Sequence, residues 1–276
     1  MCCSLEPAKL TNTILYAAEA LHEGHLVHVL GYQNRAENQF KGPNAMLLPI
    51  PSDVAMGPAN MLDTTAAKHI LTDYADAVRA HHARRSRSMK GFGADSMDFD
   101  EAQVFDKGSY TVALADNAKA LTAALARIPS NTRPAVKPDI FAAYDKLYPG
   151  WKMALCAWDG TLEAEPLLWW YEPKNAANLF LPALDAHDGH PPKLASDVDV
   201  DHCIVVGSVT GPSKKGLEAI EVRFQDALPE HLKPFLASTV AGYETAGRRM
   251  KNGDFSCKVA NVHKGLIDRV PPPGQA

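Results

Sequence analysis

The cysteine in second position is where covalent chemistry would start. A small side chain there lets the initiator Met1 be removed, which leaves Cys2 with a thiol and a free α-amine on one residue. The amine, with an intrinsic pKa of roughly 8, would take the proton as the thiol attacks an acyl or amide carbon. Such a nucleophile needs amide or guanidinium donors beside it to hold the oxyanion and a substrate carboxylate. Asn34, Arg35 and Asn44 are the nearest candidates, so Cys2, Asn34, Arg35 and Asn44 form the expected catalytic set of an acyl or amide hydrolase. The alternative is an ordinary pair of cysteines on a loose end, in a non-catalytic binding or assembly protein.

Metal binding is the second chemistry on offer. His187, Asp188, His190, Asp201 and His202 lie close in sequence, and imidazole with carboxylate suits zinc, iron or manganese. Their spacing fits no helix-borne pair of histidines, and Gly189 with Pro191 makes this stretch a turn. Asp197, Asp199 and Asp201 open like a calcium loop, yet His202 stands where the loop needs glycine and Ser208 where it needs glutamate. Polar turn residues at a strand entry are the commoner explanation, so no cofactor is expected, and a divalent metal in this loop is the alternative. The basic run 81–90 could grip phosphate, but cations at a helix C-terminus also complement its dipole. The acidic stretch that follows neutralises their field. Trp151, Trp158, Trp169, Trp170 and Tyr171 could form a ligand platform; strand alternation puts Trp169 and Tyr171 on one face and Trp170 on the other, so one side belongs to a core.

These groups must be held by a chain of 276 residues, 46% hydrophobic and 22% charged, which is long enough for a substantial core. A net charge of −4 gives no general attraction to nucleic acid or to an anionic membrane. No apolar run approaches the roughly 20 residues that span a bilayer, and the first twenty positions lack the charged start and apolar centre of a secretion signal. A cytoplasmic location is expected, with no nucleic-acid or membrane partner; self-association into a homo-oligomer stays open. Five cysteines with no C-x-x-C pair point to reduced thiols, with Cys156, Cys203 and Cys257 buried in strand-like sequence.

Apolar runs at 11–20 and 25–34 flank His22-Glu23-Gly24 and predict an antiparallel hairpin, with His28, Leu30 and Tyr32 on one face and Val27, Val29 and Gly31 on the other. A third strand at 45–50 completes a meander. Asp63-Thr64-Thr65 offers an N-cap to an amphipathic helix reaching about Arg84. Between 84 and 108 periodicity is lost, which predicts a long, mobile or functional surface loop. A strand at 109–115, a helix at 120–128 and a short helix at 139–147 follow. Strands at 151–158 and 165–171 are joined by Asp159-Gly160, a hairpin signal. Beyond them come a strand at 203–207, a helix from Leu232 toward Met250 and a last strand at 255–259. The expected fold is α+β: a mostly antiparallel sheet, built from an N-terminal meander and a central hairpin, with packed helices. It makes one domain over 1–270, or two closely packed lobes at 1–150 and 151–270, with a disordered tail at 271–276.

Leu48-Pro49-Ile50-Pro51, Tyr110-Thr111-Val112, the approach from Tyr144 to Gly150-Trp151, and Pro166-Leu167 leading to Tyr171 occur in an order that resembles a family of uncharacterised bacterial proteins grouped as a domain of unknown function. That resemblance covers about residues 2–172 and implies no activity. The start Met1-Cys2-Cys3-Ser4 is similar to that of choloylglycine-type acylases, and Met-Cys also opens glutamine amidotransferase domains. This second resemblance implies an N-terminal-nucleophile hydrolase. Cys3 stands where those families carry a small or hydroxylated residue, Pro7 interrupts the first strand, and no aspartate accompanies Asn34-Arg35.

Overall fold

The computed structural model describes residues 3–84, 104–108, 110–210, 219–245 and 247–275. Cys2 and most of the loop expected at 84–108 lie outside them. In chain order the strands are β1 (Cys3–Ser4), β2 (Ala8–His22), β3 (His25–Asn38), β4 (Asn44–Ile50), β5 (Val104–Lys107) and β6 (Tyr110–Ala115). Next come β7 (Lys152–Trp158), β8 (Thr161–Glu163), β9 (Leu167–Tyr171), β10 (Asn178–Leu181), β11 (Asp197–Val200) and β12 (Cys203–Ser208). The last are β13 (Ile220–Glu221), β14 (Thr239–Glu244), β15 (Arg248–Lys251), β16 (Asp254–Lys258) and β17 (Ile267–Val270). The helices are α1 (Ile70–Arg84), α2 (Leu121–Leu125) and α3 (Pro138–Leu147).

Period-two burial sets the frame. Along β2, Leu15 and Ala17 enter one core while Tyr16, Ala18 and Ala20 enter another; along β3, Leu30, Tyr32 and Ala36 oppose Val27 and Val29 in the same way. A hairpin apolar on both faces needs a layer on each side. Its turn places Glu23 and Gly24 at positive φ. The register shifts between Thr11 and Ile14, where Asn12 also has positive φ, and this bulge keeps both faces in phase with their cores.

Two large sheets result. The first runs β13-β14-β12-β2-β3, with β8 and β9 both along the far edge of β3. All its pairs are antiparallel except β12 with β2. The second runs β1-β4-β7-β6-β5. Their facing sides meet in a core that includes Leu15, Leu30, Tyr32, Trp169, Met46, Leu48, Ala154 and Cys156. A three-stranded sheet, β10-β16-β17, closes it with Leu179, Leu181 and Phe255. The outer side of the first sheet is covered by Ile70, Leu71, Tyr74 and Val78 of α1 and by Leu232, Phe235 and Leu236. The outer side of the second is covered by Leu121 and Leu125 of α2 and by Ile140, Phe141, Tyr144 and Leu147 of α3.

The protein is therefore mostly β, with 41% strand against 18% helix, and the expected α+β fold of sheet and packed helices is not what forms. Two local readings account for the difference. Asp159-Gly160 does not close a hairpin: β7 pairs with β4 and β6, whereas β8 and β9 pair with β3, so the turn carries the chain from one sheet to the other. A turn signal marks a reversal without naming the partner, and Met153 to Trp158 are buried throughout, as suits a strand covered on both sides. The second is the helix expected from Leu232 to Met250. In its place stand a 3-10 turn (Lys233–Phe235) and the strands β14 and β15. Gly242 permits this packing, since a Cβ there would lie 2.3 Å from the Ile204 carbonyl oxygen.

Smaller departures have equally local causes. Asp63 does cap, accepting from the Thr65 N–H at 3.0 Å, but isolated turns through Thr64, Ala67 and Ile70 precede regular α1. In the tail, Pro273–Gln275 forms a 3-10 turn seated on the end of α3, where a Cβ on Gly274 would fall 1.9 Å from the Lys146 carbonyl oxygen. Among the described residues no helix is long and apolar enough to cross a membrane.

Candidate functional site

The N-terminal strand is an internal rung. Cys3 is fully buried opposite Leu47, the Ser4 N–H donates to the Ala186 carbonyl at 2.9 Å, and the Leu5 N–H donates to the Ala45 carbonyl at 2.8 Å. Asn44 lies three residues before Leu47 on β4, roughly 10 Å along the strand. Its amide is spent on the next stretch of the same chain: Oδ1 accepts the Glu6 N–H at 2.9 Å, and Nδ2 donates to the Glu6 carbonyl at 3.0 Å. Asn34 sits in the inter-sheet core, accepting from the Tyr110 hydroxyl at 2.9 Å and donating to the Tyr32 hydroxyl at 3.2 Å. Arg35, the next residue on β3, is exposed on the opposite face. The structure thus engages both asparagines in hydrogen bonds within the fold and turns Arg35 to the face opposite Asn34.

The histidine and aspartate set also divides. His187 is half-buried with Nε2 3.9 Å from Asp185 Oδ1, while Asp188 is exposed and meets Lys193 at 3.4 Å. His190 is exposed, and its N–H donates to Asp188 at 3.1 Å. Asp201 accepts the Asn12 N–H at 3.1 Å and places its other oxygen 3.6 Å from His202 Nδ1. His202 is buried against Phe255. Gly189, at positive φ, packs on the Leu5 and Glu6 backbone, which pins the turn to the N-terminal segment. Among the described residues no three histidine, cysteine, aspartate or glutamate side chains gather as a metal would require.

Beside Cys3 the fold assembles a cluster that the sequence did not announce. Asp254 is fully buried; its Oδ2 accepts the Tyr148 hydroxyl at 2.7 Å and its Oδ1 accepts the Ala183 and Leu184 N–H groups at 2.9 and 3.1 Å. Burial pushes its carboxyl up to about 6, against the opposing pull of those hydrogen bonds and of Arg269. Tyr148 is raised well above the ordinary phenol value, first by burial and then by the Asp254 charge. The Arg269 guanidinium lies 4.5 Å over the Phe255 ring and donates through Nε to the Lys251 carbonyl at 3.0 Å. Burial lowers its pKa against the charges of Asp254 and Asp185. Asn252 holds Asp185 by its backbone at both ends, with bonds of 2.8 and 2.7 Å.

This cluster joins the end of α3, the 183–187 segment, β16 and β17 around the first strand. In sequence, Asn252-Gly253-Asp254 reads as a turn, and nothing in its spacing marks the aspartate as buried. The four described cysteines, Cys3, Cys156, Cys203 and Cys257, are all free and buried. Burial pushes the Cys203 and Cys257 thiols up to about 12, which keeps them protonated and inert.

No protein-family model matches the chain, and no curated protein matches it. Among solved structures it is similar to the crystal structure of baculovirus P35, with 14% sequence identity over 96% of this chain and 92% of that chain and a TM-score of 0.46.

Proposed function

We propose that this chain is a non-catalytic binding or assembly protein in which the β-sandwich is the rigid frame. The observation that carries the reading is the use of Asn44: its Oδ1 accepts from the Glu6 N–H, and its Nδ2 donates to both the Glu6 carbonyl and Asn38 Oδ1, so it has no free donor for an oxyanion. Asn34 is likewise enclosed between Tyr32 and Tyr110. The perturbed titrating groups nearest the first strand, Asp254 and Tyr148, bond to each other and to main-chain N–H groups, which suits a structural tie. The free thiols of the described cysteines favour a reducing compartment, and we take the cytoplasm as the place of action.

The competing reading, an acyl or amide hydrolase at Cys2, is decided by chemistry at that residue. Intact mass establishes whether Met1 is removed, and the rate of iodoacetamide labelling at Cys2 is compared with that of free cysteine. The binding reading expects an ordinary rate, and no difference between the natural chain and Cys2→Ala toward a panel of amide, ester and glutamine substrates. Labelling many times faster than free cysteine, together with turnover that Cys2→Ala abolishes, would overturn it.

A further inference from the structure

One row of side chains crosses the inner face of the first sheet near the β2–β3 hairpin. Ser208 on β12 is opposite Glu19 on β2, Glu19 is opposite His28 on β3, and His28 is opposite Tyr171 on β9. Glu19 serves the outer part of the row, accepting from the Ser208 hydroxyl at 3.3 Å and from the Thr210 hydroxyl. The inner part is different. His28 and Tyr171 are each 0% exposed, their rings meet edge to face at 5.9 Å, and the Tyr171 hydroxyl has no hydrogen-bond partner among the described residues, while the His28 ring has at most the Ala176 carbonyl to satisfy one of its two nitrogens. Trp169, on the same face one row further in, leaves its Nε1–H equally unpartnered.

Unsatisfied polar atoms on three neighbouring buried side chains are more than a native core ordinarily carries, because each has given up water without a replacement. Leucine and phenylalanine would fill the same space at no such cost. Burial drives His28 down to about 4, against the Ala176 carbonyl and the Glu19 charge that favour its proton, so at neutral pH the ring presents one donor and one acceptor. Tyr171 can do either, and Trp169 only donates. The cover is the exposed 172–177 segment, fastened by the Lys174 N–H to the Pro51 carbonyl at 2.8 Å and by the Asp53 N–H to the Glu172 carbonyl at 2.9 Å.

We infer that His28, Tyr171 and Trp169 form an internal binding site for a small uncharged ligand of the carboxamide type, which accepts through a carbonyl and donates through an N–H and enters when the 172–177 segment lifts. An anion would meet the Glu19 carboxylate, and a cation would lose its hydration in an apolar core without a counter-charge against it. The inference is independent of Cys2, because a hydrolase and a binding protein could carry the same site.

The test uses benzamide as probe, with benzoate and benzylammonium as its charged counterparts, on the natural chain and on Tyr171→Phe and His28→Gln. At about ten times its Kd, benzamide is expected to raise the unfolding midpoint of the natural chain by about 2–4 °C and to shift the His28 ring resonances in nitrogen NMR. Both effects should vanish in Tyr171→Phe, and neither charged counterpart should produce them. The same effects persisting in Tyr171→Phe, or no effect from benzamide, acetamide or nicotinamide, would overturn the inference. So would a crystal structure in which His28 and Tyr171 bond only to ordered water.

Discussion

Tyr148 donates its hydroxyl to the Asp254 carboxylate at 2.7 Å and so ties the end of α3 to the start of β16. The Asp254 carboxyl is raised from 3.8 to about 6 by burial, so the native state holds its proton more firmly than the unfolded chain does. The stability this supplies is complete below about pH 4 and is lost as pH rises to about 6. Asp254→Asn keeps the shape and removes the titration, which should flatten a change of about 3 kcal/mol across that window. Urea midpoints between pH 3.5 and 7 measure it. Tyr148→Phe should cost about 1–3 kcal/mol and move the carboxyl still higher, because the lost bond had favoured the charged form.

His28 acts with the opposite sign. Its pKa falls from 6.5 to about 4 on burial, so its contribution is intact above pH 6.5 and is lost as pH falls toward 4, again by about 3 kcal/mol. In the natural chain the two slopes oppose each other between about pH 4 and 6. His28→Phe leaves only that of Asp254, and the variant should gain stability on mild acidification where the natural chain stays nearly level. The same urea series checks this, and an unchanged acid limb would contradict it.

Gly242 is predicted to tolerate no side chain. A Cβ would lie 2.3 Å from the Ile204 carbonyl oxygen in the neighbouring strand, and backbone cannot step aside. Gly242→Ala should destabilise by about 3 kcal/mol or more, or unseat β14 from β12 altogether. Thermal unfolding compared with Gly57→Ala, at a position with open space around it, gives the control.

Asn44→Ala removes both bonds to Glu6 and leaves a buried N–H and carbonyl without partners, at about 1–3 kcal/mol each. Amide exchange at Glu6 should rise sharply while exchange in β14 stays unchanged. Equal acceleration in both places would mean that Asn44 supports the whole sandwich and not the first strand alone.

The buried thiols give a simple accessibility test. In a Cys2→Ser background, Cys3, Cys156, Cys203 and Cys257 are expected to resist Ellman's reagent in the native state and to react together on unfolding. Early reaction of Cys3 alone would show that the first strand opens locally.

The sequence carried what local chemistry can carry. Period-two alternation was enough to place β2 and β3 and to divide His28, Leu30 and Tyr32 from Val27 and Val29, because side-chain direction on a strand follows from the backbone itself. Reduced, buried interior cysteines and the helix before Arg84 followed from composition and spacing for the same reason. Partner choice was not local. Whether β7 pairs with β9 or with β4 depends on residues more than a hundred positions away, and whether 239–251 is helix or strand depends on β12, whose pairs with β14 lie 33 to 41 positions earlier. The site showed the same limit. Asn34, Arg35 and Asn44 are close along the chain, but their hydrogen bonds and exposure were not legible there, whereas Tyr148 and Asp254, or Glu19, His28, Tyr171 and Ser208, are scattered along the chain and meet only when the sheets assemble. Burial, which gives those groups their unusual proton affinities, exists only in the packed molecule, since it is the exclusion of water by the opposing layer that raises Asp254 and lowers His28.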